Sequence, residues 1–253
     1  MPFLANEGIA TKWVAEYLRD TNVLIAPNSE DMTRDLKKVA KHLGDRHKGR
    51  EFADRIIYLP NYYGLEDNIT KPTVVKYEDE VHIGCFGAIR PFKNQLSQAV
   101  AAMQFADSTD RRLYFHINST RVEGRGEPVL KNLRELFDAS QVHHLVEHDW
   151  LSHTEFKMLC STMDFGLQCS FTETFNIVAA DFVSVDVPII VSPQISWMPF
   201  WTKADPTSIR SIVFRLRVVD FLKRVKAETL NKIALETHNL LTINVWLRAF
   251  KYL

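Results

Sequence analysis

The sequence has no surplus of either charge: Lys+Arg and Asp+Glu are each 31 in 253 residues. That balance argues against the broad basic surface used on duplex nucleic acid or anionic lipid, while leaving room for a local basic site. Cysteine is scarce. Cys85, Cys160 and Cys169 lie in apolar segments without metal-ligand spacing, the pattern of reduced, buried thiols in a cytoplasmic protein. No apolar run reaches the length of a membrane span, and the opening MPFLANEGIATKW lacks a basic segment followed by a long apolar core, so a soluble chain is expected. Internal repeats and low-complexity tracts are also missing. A chain of this length builds one large domain, or one complete domain and part of a second.

Periodicity supplies the organisation. Ile9, Trp13, Val14, Tyr17 and Leu18 predict an amphipathic helix over 5–20. NVLIAP reads as a short buried strand, Ser29 as the cap of a helix through Lys41, and RIIYLPN as a second strand ending in a Pro-Asn turn. Residues 62–80 read as a linker. From there strands and helices alternate: VHIGCFGA, helix 94–106, RLYFHIN, helix 127–138, HHLVEH, helix 153–162, DFGLQCS, helix 174–184 and PIIVS. Apolar runs alternating with helices predict an α/β, Rossmann-like parallel sheet with helices on both faces. Asp205-Pro206 reads as a cap and first helical residue before Ile209, Ile212, Val213 and Leu216, and residues 227–253 read as helix with a large apolar face. The expected divisions are 1–76, a remnant of a first domain with its linker; 77–233, the Rossmann-like domain; and 234–253, a terminal helix.

In an open parallel sheet, ligands sit beyond the carboxyl ends of the strands. Two strand-to-helix loops stand out. In GCFGAIRPFKNQ, Gly87 permits close backbone approach, and Arg90 and Lys93 place two cations just before a helix, a combination suited to a diphosphate. Two solvated surface cations would give the same local sequence. In SFTETFNIVAAD, Phe175, Val178, Ala179 and Phe182 share one helical face, while Asp181 sits on its flank and needs a partner or an exit to water. If every residue between them were helical, Glu173 and Asp181 would be about 12 Å apart along the axis, too far for the roughly 5–9.5 Å of a glycosidase carboxylate pair. A long ligand fits instead, touched near one end by Glu173 and near the other by Asp181, its anionic middle over the N–H groups of Thr174, Phe175, Asn176 and Ile177. A nucleotide sugar has that shape. The local alternative is a helix capped by Thr172, with Glu173 only complementing the dipole. DSTD, residues 107–110, lies at the other edge of the sheet and reads as a solvated turn rather than a metal site.

The block SFTETFNIVAADFVSVDVPIIVS resembles the donor-binding signature of the large retaining family of GT-B glycosyltransferases that includes sucrose synthases and bacterial mannosyltransferases. Its pattern is Glu, seven residues, Glu, then a small-residue turn and a Pro-Val-Val strand. Glu173 matches the first acid, Asp181 stands at the second with one methylene fewer, and Asp186 to Ile190 match the segment leading into that strand. FGAIRPFKN is similar to the family's Gly-Arg-x-x-x-x-Lys loop at Gly87 and Lys93, with Ala88 where the family has Arg; RIIYLPN resembles the end of its N-terminal domain.

The resemblance implies a GT-B C-terminal domain preceded by a partial N-terminal Rossmann-like domain that lacks its first half, through truncation or because another polypeptide supplies it. It implies transfer of a sugar from a nucleotide-sugar donor, with retention, without metal or cofactor, to an acceptor left open. Lys93 and Arg90 would neutralise the diphosphate, Glu173 would hold sugar hydroxyls, Asp181 would accept from ribose, and the base would lie near Asn118, His148 and Trp150. The competing expectation is a non-catalytic nucleotide-binding or interaction subunit, partnered by a complementing acceptor-domain chain or by its own copy. A pyridoxal-phosphate phosphorylase is disfavoured, because no lysine environment marks that cofactor.

Overall fold

A computed structural model describes residues 7–20, 22–43, 46–65, 72, 77–223 and 228–250. The chain divides into a smaller unit, Met1–Tyr62 with Thr237–Leu253, and a larger one, Tyr63–Glu236.

In the smaller unit, α1 (Glu7–Tyr17) and α2 (Glu30–Lys41) occupy the two expected helical segments. Ser29 caps α2, its side chain accepting from the Met32 N–H, and Glu30 and Asp31 in the first turn complement the helix dipole. A third helix, α3 (Arg46–Asp54), has no counterpart among the expected elements. Its sequence RHKGREFAD has only Phe52 and Ala53 to bury, too few to show a period. Tertiary packing holds it: Ala53 joins Val14, Leu18, Leu36, Ala40 and Ile56 in one core, with Phe52 against it. Gly49 makes this approach possible, since a Cβ there would stand 2.5 Å from the Lys41 carbonyl oxygen. The two expected strands reduce to a parallel bridge, Ile25↔Ile56, extended by hydrogen bonds from Ile57 N–H to Ile25 O and from Leu59 N–H to Pro27 O, each 2.9 Å. The expected helix over 227–253 is α9 (Glu228–Phe250), with residues 227 and 251–253 outside the described set. Within the smaller unit, Trp246 Nε1 donates to the Pro60 carbonyl at 2.8 Å.

The larger unit holds five parallel strands in the order β3-β2-β1-β4-β5: β1 (Glu80–Gly84), β2 (Arg112–Asn118), β3 (His144–His148), β4 (Phe165–Gln168) and β5 (Ile189–Val191). One face of the sheet, with Ile83, Phe115 and Leu167, packs on α4 (Gln95–Asp107), α5 (Glu127–Asp138) and α8 (Ile209–Lys223). The other, with Phe86, Ile189 and Val191, packs on α6 (His153–Thr162) and α7 (Ile177–Ser184). Parallel strands covered on both sides explain why the apolar runs are continuous rather than alternating.

Three local expectations are corrected. The helix placed at 174–184 starts at Ile177, because Asn176 turns left-handed (φ 60°) and caps it through the Ala179 N–H. The helix after Asp205-Pro206 starts at Ile209: Ser208 accepts from the Ser211 and Ile212 N–H groups, while Asp205 folds onto Thr207 in a turn of its own. The stretch read as linker sends Tyr63 and Leu65 into the core of the larger unit.

Candidate functional site

The strand order reverses between β1 and β4, so the loops leaving those two strands part company and open a crevice at their carboxyl ends. They are the basic loop around Lys93 and the acidic loop around Glu173. After β1 the chain passes Gly87 at φ 106°, a conformation that L side chains rarely adopt. A Cβ on Gly87 would lie 3.9 Å from both Lys93 Cε and Val178 Cγ2, which places this glycine between the lysine and the first turn of α7. Its N–H donates to Asn118 Oδ1 at the end of β2, 3.0 Å away, and Asn118 Nδ2 donates to the Asp149 carbonyl.

A 3-10 turn, Pro91–Lys93, and a left-handed Asn94 then lead into α4. Here the two loops are joined by buried amides. Asn94 Nδ2 donates to the carbonyls of Cys169 and Pro206; Gln98 accepts from Cys169 N–H at 2.7 Å and donates to Lys93 O at 2.7 Å; Phe171 N–H donates to Phe92 O. Gln168 donates to Phe86 O and accepts from Asn176 Nδ2, the residue that caps α7. This framework brings Lys93 Nζ and Glu173 Oε1 into an ion pair, with side chains only 11% and 9% exposed. Arg90 turns elsewhere, its guanidinium 3.9 Å from Glu123. Thr174, Phe175 and Asn176 lie in the loop before α7, so the expected N–H cradle is mainly loop backbone and the fully helical spacing of Glu173 and Asp181 does not apply. The Phe175 ring is buried against Tyr63 and Trp197, and its carbonyl accepts from Trp197 Nε1.

Asp181 has found its partners. The residue is 2% exposed, and Oδ1 accepts from the Tyr63 hydroxyl at 2.6 Å and from His153 Nε2 at 2.7 Å. Burial raises its carboxyl, opposed by these two hydrogen bonds and by the charges of His153 and Lys157; burial and the nearby carboxylate push the Tyr63 hydroxyl far above its usual value. Asp181, Gly87, Asn118, Trp150 and Ile177 line a cleft of about 340 Å³, completed by Val178 and by four residues that sequence reasoning did not single out: Arg121, Leu151, His153 and Phe156. The Arg121 guanidinium lies 4.6 Å over the half-exposed Trp150 ring, a cation–π stack at the mouth. Lys93, Glu173 and Arg90 are outside the cleft lining.

His148 belongs to another structure. Its Nε2 is 2.8 Å from His116 Nδ1, and His116 Nε2 is 3.0 Å from His82 Nδ1, forming a row of imidazoles across β3, β2 and β1. Burial, reinforced by the neighbouring histidines, lowers His116 to about 3 and burial lowers His148. The three cysteines are free and buried, which pushes Cys85 up to about 12 and the other two well above the ordinary thiol value. Asp107 of the DSTD turn is exposed and sits 3.0 Å from His143 Nε2. Among the described residues no group of three or more His, Cys, Asp or Glu side chains could hold a metal ion, and no helix is long and apolar enough to cross a membrane.

This parallel sheet, with helices on both faces, matches the fold of GT-B glycosyltransferases. A trehalose-6-phosphate synthase studied for glycosyl transfer with retention is similar with TM-score 0.73 at 11% identity, over 98% of this chain and 63% of its own. HepE of Anabaena, solved with UDP and glucose, gives 0.68 at 11% identity, covering 99% and 69%; TarM of S. aureus, solved with UDP among its ligands, gives 0.64 at 14%, covering 96% and 46%. The chain thus spans less than two thirds of the synthase and under half of TarM. No family model matches the sequence, and no curated protein does.

Proposed function

We propose that the larger unit binds a nucleoside diphosphate sugar and that the chain serves in transferring that sugar, with retention and without metal or cofactor, to an acceptor contacted elsewhere. The observation that carries this reading is the Lys93–Glu173 pair, placed at the point where strand order reverses and joined through Gly87 to a cleft large enough for a nucleoside. Roles follow from charge. As the bond between the anomeric carbon and the diphosphate oxygen breaks, negative charge develops on the leaving oxygen; Lys93 stabilises it, helped by loop N–H groups, with Arg90 able to swing in from Glu123. Glu173, released from Lys93, accepts from sugar hydroxyls. The base lies beside Trp150 and Arg121, and the ribose lies at the Asp181 end of the cleft. The free, buried thiols suit a reducing compartment, and we place the protein in the cytoplasm.

A second reading, a nucleotide-binding subunit that acts by association, draws support from the smaller unit, where Ile243, Trp246, Leu247 and Phe250 border an open groove with Leu59 and Pro60. Its partner would be a complementing acceptor-side chain or a second copy. Titration calorimetry with UDP-glucose and GDP-mannose tests the shared premise: binding in the micromolar range is expected, and absence of heat with either donor at millimolar concentration would refute both readings. Release of free sugar or transfer by the purified chain alone would remove the second.

A further inference from the structure

We infer that His153, held by Asp181 and Tyr63, is the group that contacts the ribose hydroxyls, and that Asp181 acts only as its positioning residue. The inference rests on the nucleotide-binding reading and deepens it. A carboxylate oxygen accepts two good hydrogen bonds, and Asp181 Oδ1 already has two, from Tyr63 and His153. The whole residue is 2% exposed, so although it borders the cleft it offers a ligand there little surface. His153 is the opposite case: its side chain is 55% exposed and lines the cleft, yet Nε2 is fixed against a buried carboxylate.

The hydrogen positions on this trio are constrained. The phenol keeps its proton, since burial and the neighbouring carboxylate both oppose its loss, so Oδ1 accepts from Tyr63. An ionised carboxylate can only accept, so with Asp181 in that form the imidazole hydrogen lies on Nε2 and Nδ1 is left as the ring's second polar atom. A ribose hydroxyl both donates and accepts, so it satisfies Nδ1 whether the ring is neutral or charged. Aspartate is one methylene shorter than glutamate. At this position it stays inside the protein and reaches the ligand through the imidazole.

The proposal separates from direct recognition by Asp181 through the ligand's own hydroxyls. Calorimetry would compare UDP with its 2′,3′-dideoxy analogue on the full chain and on the His153→Ala and Asp181→Asn variants, with thermal melts checking that each variant folds. Wild type is expected to bind the dideoxy compound roughly tenfold more weakly than UDP, the size of a hydrogen bond to a hydroxyl. His153→Ala should bind both compounds alike, while Asp181→Asn, which still offers His153 an acceptor oxygen, keeps most of the discrimination. Discrimination that survives in His153→Ala and vanishes in Asp181→Asn overturns the proposal and leaves the nucleotide reading standing, as does a wild type indifferent to the hydroxyls. If wild type binds neither UDP nor GDP, both fall.

Discussion

Replacing Lys93 by methionine keeps an unbranched side chain one heavy atom shorter and removes its charge, leaving the Glu173 carboxylate without its cation at a place where it is only 9% exposed. Breaking a buried ion pair from one side costs about 3–5 kcal/mol; because the pair keeps some contact with water, the lower end, about 3 kcal/mol, applies. Glu173→Gln is milder, about 1–2 kcal/mol, since the amide oxygen still accepts from the ammonium. The double variant removes both charges, so its cost falls below the sum of the singles by about 2 kcal/mol, a coupling that distant sites do not show. Urea denaturation followed by tryptophan fluorescence reads these values, with Lys93→Met moving the midpoint by about 1–2 M for a slope near 2 kcal/mol/M. The same three proteins, titrated with UDP, separate the ligand role from the structural one. Lys93→Met should lose about ten- to a hundredfold in affinity, the range of a charge-assisted hydrogen bond, whereas Glu173→Gln, which loosens the competitor for the ammonium, should bind UDP at least as well as wild type. Additive stabilities, or unchanged UDP affinity in Lys93→Met, would refute the assignment of this pair.

Acid should act through the histidine row. His116 titrates near 3 when folded and near 6.5 when unfolded, so its contribution is constant above pH 6.5 and is lost as pH falls, reaching about 2 kcal/mol by pH 5. Asp181, whose carboxyl is raised, runs in the opposite sense, its contribution being present at low pH and lost as pH rises through the folded value. The comparison that isolates the histidine is therefore between wild type and His116→Gln, the variant giving the flatter stability profile between pH 6.5 and 5; parallel profiles would count against it. Gly87→Ala should destabilise by about 1–2 kcal/mol through its backbone alone, because φ 106° is strained for alanine while the added Cβ meets nothing nearer than 3.9 Å. Equilibrium unfolding checks it, and a variant as stable as wild type would mean the loop rearranges freely.

The strand–helix alternation was legible because strands covered on both faces need unbroken apolar runs, and RLYFHIN or DFGLQCS could be little else. The loops that end those strands could be ranked from charge alone, and the structure brings Gly87, Lys93 and Glu173 to the same crevice. What stayed hidden depends on distant chain. Tyr63 meets Asp181 across 118 positions, and nothing near either residue announces the contact. His153 follows Ser152, which with Glu155 forms a capping box, so it reads as ordinary first-turn sequence. The start of α7 is hard to place because the left-handed cap at Asn176 has no local mark that separates it from Thr172. Arg121 sits in an irregular loop, and only the fold sets it over Trp150. Helix α3 lacks the apolar period on which recognition depends and exists through Ala53 and Gly49.

One signal was present in the sequence and carried no expectation: the side-chain amides at positions 94, 95, 98, 168 and 176, in and beside the two loops. Gln95, Gln98 and Gln168 are 1–2% exposed, and Asn94 and Asn176 are 6%. A buried amide group without a partner costs about 1–3 kcal/mol, and among these side chains Gln95 alone leaves a buried amide atom, Oε1, without one. Here most of the partners are backbone atoms of the two loops that flank the crevice. Shifting either loop would strand several of these groups at once, which makes the relative position of the loops stiff. The charged side chains they carry are under a looser constraint. Lys93 and Glu173 satisfy each other, and an anion arriving at the crevice has only to replace one partner in that pair. A rigid backbone with exchangeable charges is the arrangement that electrostatic stabilisation of a leaving group requires, because the stabilising dipoles are already oriented when charge develops.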